Sequence, residues 1–136
     1  MSDPSLRMIP DPMGPSAELY AFWAKGELRL QRCADCGKVR HYPRPVCDAC
    51  WSMNTDWIDA SGKGAVHSWT ITHYAFHPGF KGDLPYILLT VDLPEGVRMN
   101  ARARGVAAAD LLVGMPVRVA FETVKDGLTL PVFEAA

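Results

Sequence analysis

Four cysteines form the constellation with the clearest chemistry in this chain. Cys33-Ala-Asp-Cys36 and Cys47-Asp-Ala-Cys50 are two Cys-x-x-Cys knuckles with ten residues between them, and no other cysteine is present. Each knuckle is a tight turn that aims two sulfurs at one point. Gly37, directly after the first pair, permits the positive φ that such a turn needs. Four thiolates at about 2.3 Å suit tetrahedral Zn²⁺, and a closed all-cysteine set leaves no open position for substrate or water. The spacing reads as a structural zinc site, with an iron centre, a redox dithiol and disulfides as the alternatives.

The remaining reactive side chains make no self-contained active site. His41, His67, His73 and His77 fit no His-Glu-x-x-His pattern, and neither a Gly-x-Ser-x-Gly elbow nor a Walker-type phosphate loop occurs. His67 and His73 share a strand face with Trp69 and Ile71, so they read as partly buried and hydrogen-bonded. A cysteine nucleophile is excluded if all four thiols hold metal. Catalytic residues are therefore expected to be none.

Features suited to recognition are more numerous. Leu19, Tyr20, Phe22 and Trp23 crowd a short helix read as opening at Pro15 or at an N-cap Ser16 and closing at Gly26. The loop from His77 to Pro85 carries Phe80 and Lys81 between glycines. Arg98, Arg102 and Arg104 alternate on one face of a strand, and guanidinium forks suit phosphate or carboxylate. Lys25, Arg29, Arg32, Lys38, Arg40 and Arg44 face only Glu27 and Asp35 in the same stretch. That run reads either as a site for phosphate or polyphosphate or as solvated cations offsetting a four-thiolate metal centre.

Several elements must position these groups. Residues 1–14 hold Pro4, Pro10, Pro12 and Gly14 and read as an extended arm, disordered or laid across a partner. Leu28 to Arg32 alternates as a strand feeding the first knuckle, and Val39 to Pro43 returns after it. From Thr55 onward the pattern is β. A long segment from Ala65 to Phe76 is followed by Tyr86 to Leu93, Val97 to Arg104, a single helical turn at Ala107 to Leu112, and strands around Val117–Phe121 and Leu128–Val132. Five strands with a bent first one describe a closed, antiparallel barrel of OB type. The fold class is thus mainly β, divided as arm and helix (1–26), zinc ribbon (27–55) and OB barrel (56–136).

Fourteen basic against fifteen acidic residues argue against a dedicated nucleic-acid or anionic-membrane binder. No apolar run approaches the ~20 residues of a membrane span. Residues 1–15 lack the hydrophobic segment of a secretory signal, so a cytoplasmic location is expected.

The order of these pieces resembles a family of small proteins, long called a domain of unknown function, that join an N-terminal helix and a rubredoxin-like zinc ribbon to an OB fold. The matching segments are Leu30-Gln-Arg-Cys-Ala-Asp-Cys-Gly, Tyr42-Pro-Arg-Pro-Val-Cys-Asp-Ala-Cys, Gly64-Ala-Val-His-Ser-Trp-Thr, Pro85-Tyr-Ile-Leu-Leu-Thr-Val-Asp-Leu, Glu95-Gly-Val-Arg-Met, Leu112-Val-Gly-Met-Pro-Val-Arg-Val-Ala-Phe and Pro131-Val-Phe. They span roughly residues 16–134. The resemblance implies a non-catalytic accessory subunit in acyl-CoA metabolism, of lipids and steroids among others. It would stabilise a thiolase-superfamily partner (a thiolase, a thiolase-like steroid side-chain aldolase or an acyltransferase) and help form its acyl-CoA site. With no fused enzyme domain in these residues, the partner is expected as a separate chain in a hetero-oligomer. Tyr20, Phe22, Trp23, Phe80, Lys81, Arg98, Arg102 and Arg104 are the candidate contacts to partner or CoA. The competing function is a single-stranded nucleic-acid-binding OB protein, which requires a basic groove with stacking aromatics.

Overall fold

The chain is described by a computed structural model over residues 7–136. The part of the expected arm before Arg7 lies outside the described residues. Helix α1 spans Pro15–Ala24, with Pro15 in the first turn and Gly14 (φ 59°) at the N-cap. No side chain caps it. Ser16 is therefore not the cap: of the two starts read, Pro15 is the one taken, since proline is pre-organised for the first helical position, and the cap lies two residues upstream of Ser16 at Gly14. Leu19 and Trp23, one turn apart, are the buried residues of α1. Gly26 (φ 75°) closes the helix, its N–H donating to the Trp23 carbonyl at 2.9 Å.

Strands β1 (Arg29–Cys33), β2 (Val39–Arg40) and β3 (Thr55–Asp59) form an antiparallel sheet in the order β2-β1-β3. Leu30 lies opposite Ile58 and Gln31 opposite Trp57. The ribbon sheet thus runs on to Asp59, past the boundary read at residue 55. The β pattern beginning at Trp57 is real, but its strand pairs backward with β1.

Strands β4 (Lys63–Thr72), β5 (Tyr86–Asp92), β6 (Arg98–Ala103), β7 (Pro116–Lys125) and β8 (Leu128–Ala135) close a barrel in the order β4-β5-β6-β8-β7. The register of β4 shifts between Val66 and Ser68, which bends this long strand. β4 stops at Thr72, so residues 73–76 are outside it, and Pro78–Asp83 form a short 3₁₀ helix. The barrel departs from the expected antiparallel arrangement at one place. β6 and β8 pair in parallel, with Arg102 opposite Val132 and Ala103 opposite Phe133. The reason is arithmetic: an odd number of strands cannot alternate in direction around a closed ring.

Val66, Leu89, Val91, Met99, Val117 and Phe133 fill the barrel, and Leu28 and Leu30 from the ribbon side belong to the same buried cluster. Gly64 is required by this packing, since a Cβ there would run into the Val91 and Leu93 side chains and the Asp92 carbonyl. Ribbon and barrel share one apolar seam.

Candidate functional site

The two knuckles fold alike. In the first, the Gly37 N–H donates to the Cys33 carbonyl and the Cys33 N–H to the Lys38 carbonyl, both at 2.9 Å. In the second, the Trp51 N–H donates to the Cys47 carbonyl and the Cys47 N–H to the Ser52 carbonyl, also at 2.9 Å. Gly37 has φ 79°, and Trp51 takes the equivalent position with φ 66°. The glycine was legible in the sequence; the tryptophan was not, because bulky residues rarely occupy that region.

This symmetry brings the sulfurs together. Cys33 Sγ lies 3.5 Å from Cys50 Sγ and Cys36 Sγ 3.7 Å from Cys47 Sγ, and all four sit within 4.8 Å of one another. A tetrahedron of sulfurs about 2.3 Å from its centre has edges of about 3.8 Å, so the set has the size of a four-thiolate metal site. It is the one such gathering of ligand side chains among the described residues. Cys33 and Cys47 are buried, whereas Cys36 and Cys50 face solvent. The Cys36 N–H bond holds the Cys33 thiol down to about 6, and N–H groups of Cys50 and Ala49 lower Cys47. Cys50 is pushed up to about 12: the Ser52 N–H acts to lower it, but the neighbouring thiols and burial outweigh that bond. Four sulfurs this close cannot all ionise unaided, and a divalent cation at their centre supplies the charge that lets them. Around them, Asp35 accepts hydrogen bonds from Ser52 Oγ and Asn54 Nδ2, and Lys38 Nζ reaches Asp48 at 2.7 Å. Both contacts tie one knuckle to the other.

A second feature lies beneath α1. A cavity of about 540 Å³ opens between the helix, the 3₁₀ segment and strands β5 to β8. Tyr20, Trp23, Phe80 and Arg102 all line it, so half of the eight candidate contact residues converge here. Arg7 Nη1 lies 2.6 Å and Arg102 Nη1 3.2 Å from one Asp83 oxygen. The Arg7 guanidinium sits 4.4 Å from the Phe80 ring centre, and that of Arg102 3.9 Å from Tyr86. The buried Trp23 Nε1 has no hydrogen-bond partner among the described residues. Arg7, Asp83 and Tyr86 were missed in the sequence. Asp83 lies within the noted loop and Tyr86 directly follows it, but Arg7 lies in an arm without any periodic pattern.

The other candidates go elsewhere. Phe22 packs edge-on against Trp57 at 5.1 Å, and Glu18 accepts from Trp57 Nε1 at 3.0 Å, so this side of α1 is spent on the ribbon. Lys81 is exposed on the 3₁₀ segment. Arg98 pairs with Asp92 at 2.6 Å and Arg104 Nε with Glu134 at 2.9 Å. The arginine face is thereby neutralised residue by residue. His67 corrects its expectation: it is exposed, with Nδ1 3.2 Å from Asp92, because Val66 takes the inward position. His73 is likewise exposed, beyond the end of β4.

Comparison with known proteins agrees with this architecture. Residues 21–56 match the ChsH2 rubredoxin-like zinc ribbon domain, and residues 57–122 the ChsH2 C-terminal OB-fold domain. A DUF35 domain-containing scaffold protein of Pyrococcus furiosus is 31% identical over 126 residues, 87% of this chain and 91% of the relative. The chain belongs to the ChsH2/DUF35 family. Within this family, a chain of the Ltp2–ChsH2(DUF35) aldolase superposes with a TM-score of 0.85 at 35% identity, covering 93% of this chain and 98% of that one. A probable enoyl-CoA hydratase alpha subunit of Thermomonospora curvata is 38% identical over 120 residues. That match covers 85% of this chain but 37% of the relative, so the chain spans little more than a third of that protein's length. A benzoylsuccinyl-CoA thiolase subunit BbsA of Geobacter metallireducens is 33% identical over 78 residues, 57% of this chain and 51% of the relative.

Proposed function

We propose that this ChsH2/DUF35 protein is a non-catalytic accessory subunit of an acyl-CoA-processing complex, holding a separate thiolase-superfamily enzyme and helping to form its acyl-CoA site. The observation that carries the reading is the likeness, over nearly the whole chain, to the DUF35 chain of the Ltp2–ChsH2(DUF35) aldolase. The BbsA thiolase subunit and the hydratase alpha subunit support the same acyl-CoA setting. The donor set supports a structural role for the metal, which this reading takes to be Zn²⁺ held by Cys33, Cys36, Cys47 and Cys50. Four protein ligands fill a tetrahedral centre and leave none of its positions for substrate. The ribbon then holds α1 through Phe22 and Trp57, and α1 in turn roofs the cavity lined by Tyr20, Trp23, Phe80 and Arg102. These four residues are the contacts this reading assigns to the partner or its acyl-CoA. Among the described residues no helix is long and apolar enough to cross a membrane, and a cytoplasmic assembly belongs to the same reading.

The test is co-purification with a thiolase-like enzyme, followed by acyl-CoA turnover with and without this chain. The expected result is a hetero-oligomer whose enzyme loses stability or rate when the chain is removed. Unchanged stability and rate would overturn the reading. The arginine face does not favour the single-stranded nucleic-acid alternative: Arg98, Arg102 and Arg104 each meet a carboxylate, so that face is already neutralised.

A further inference from the structure

A second cavity, of about 610 Å³, opens where the ribbon meets the barrel. One wall is β2 with the loop that follows it, and the other is the β5–β6 hairpin around Leu93 and Val97. Four cations line it, Lys38, Arg40, Arg44 and Arg98, against the two carboxylates of Asp48 and Asp92. Both carboxylates are engaged, Asp48 by Lys38 at 2.7 Å and Asp92 by Arg98 at 2.6 Å and by His67 at 3.2 Å. Two guanidiniums remain without an acidic partner.

Arg40 is the more telling of the two. It is 6% exposed, yet its hydrogen-bond acceptors are neutral: Gln31 Oε1 at 2.5 Å and the Arg44 carbonyl at 3.3 Å. Its Nη1 has no hydrogen-bond partner among the described residues. A buried charge left without a counter-ion is costly, and chains ordinarily pair it. The surroundings are nonetheless built. Gln31, 2% exposed, accepts from Arg40 Nε and from the Arg44 N–H at 2.8 Å, which sets the two arginines side by side. Arg44 itself makes no ion-pair contact among the described residues and acts on Asp48 only at longer range. His41, next in the chain, lines the same cavity with Nε2 buried and unpartnered.

We propose that this cleft binds the phosphate group of a small phosphorylated molecule, seated between Arg40 and Arg44 with His41 as a neutral donor. A phosphate oxygen supplies the acceptors that Arg40 and His41 lack, and its charge matches the two unpaired guanidiniums. Gly96, on the hairpin wall, has nothing within 4 Å of a built Cβ, so that side is open for the rest of the molecule. Every residue lining the cleft belongs to this chain.

The experiment is calorimetric titration of the zinc-loaded full chain with inorganic phosphate, pyrophosphate and adenosine 3′,5′-bisphosphate. The expected result is saturable, salt-sensitive binding that weakens by about tenfold in Arg44→Gln, an exposed position, with zinc content unchanged. Tighter binding of the bisphosphate would point to a nucleotide as the source, and equal binding of all three to free phosphate. Absence of saturable binding, or binding indifferent to Arg44→Gln, would overturn the proposal. So would Arg40→Gln lowering zinc retention against a chelator while leaving phosphate affinity intact, since Arg40 would then serve the thiolate centre.

Discussion

In the barrel the fully buried side chains include Val66, Leu89, Val91, Met99, Val117 and Phe133, all of them apolar. The ribbon buries Gln31, Arg40, Cys33 and Cys47 beside Leu28 and Leu30. The barrel is therefore held by the transfer of apolar surface from water, a term that needs no ligand. The ribbon has too few apolar groups for that and depends on polar groups finding partners, of which a cation among its four sulfurs would be the chief. The comparison teaches that these two halves should respond to different insults, although Leu28 and Leu30 stitch them together.

The largest expected effect is metal loss. Structural zinc in small fingers supplies about 10–16 kcal/mol of apparent binding energy, so Cys36→Ser or chelation should unfold the ribbon. Hydrogen exchange should then show protection lost over residues 29–59 and kept in the barrel strands. Loss of protection in both would break the comparison and make ribbon and barrel one cooperative unit.

Phe133→Ala probes the opposite half. Phe133 is 0% exposed at the centre of the barrel, and its truncation should cost about 3–5 kcal/mol in urea denaturation. Zinc retention in the folded state should be unchanged. A loss of metal affinity comparable to that of a cysteine variant would show that the seam transmits strain between halves.

Acid gives a third handle. Burial lowers His41 to about 4, below its ordinary 6.5, so the folded state holds it neutral. The unfolded chain binds the extra proton first, so stability is full above pH 6.5 and falls as the pH drops toward 4. The loss amounts to about 3 kcal/mol at most. Urea melts of wild type and His41→Gln at matched zinc content should differ in this window, with the variant flatter. Identical pH profiles would sink the assignment, and bound phosphate would shift the wild-type curve to lower loss.

The smallest effect is expected at Trp51, which sits in the left-handed region and is 82% exposed. Trp51→Gly should relieve about 1 kcal/mol of backbone strain, giving slower zinc loss to a chelator. Faster loss would mean that the indole stabilises the second knuckle by more than its conformation costs.

Much of this was legible in the sequence because the chemistry is local. Two Cys-x-x-Cys knuckles carry their own turn geometry, and Leu89 and Val91 alternate with Thr90 and Asp92 on β5 as a half-buried strand must. Local pattern failed where pairing was decided at a distance. Trp57 and Ile58 fall within the range read as the barrel, 56–136, yet they pair with Gln31 and Leu30. Arg98, Arg102 and Arg104 share an alternation, yet Asp92, Asp83 and Glu134 from three other segments neutralise them separately.

The sequence by itself determined the four-cysteine cluster, the apolar faces of the strands and the aromatic crowding of α1. These follow from residue type and a period of two or of about 3.6. Only the tertiary structure decided that β8 inserts between β6 and β7, that Arg7 and Arg102 meet at Asp83, and that Arg40 is buried without an acid. Each of these joins residues far apart in the chain or depends on what a third element leaves unpaired. Periodicity records which side of an element is apolar and says nothing of what will come to lie against it.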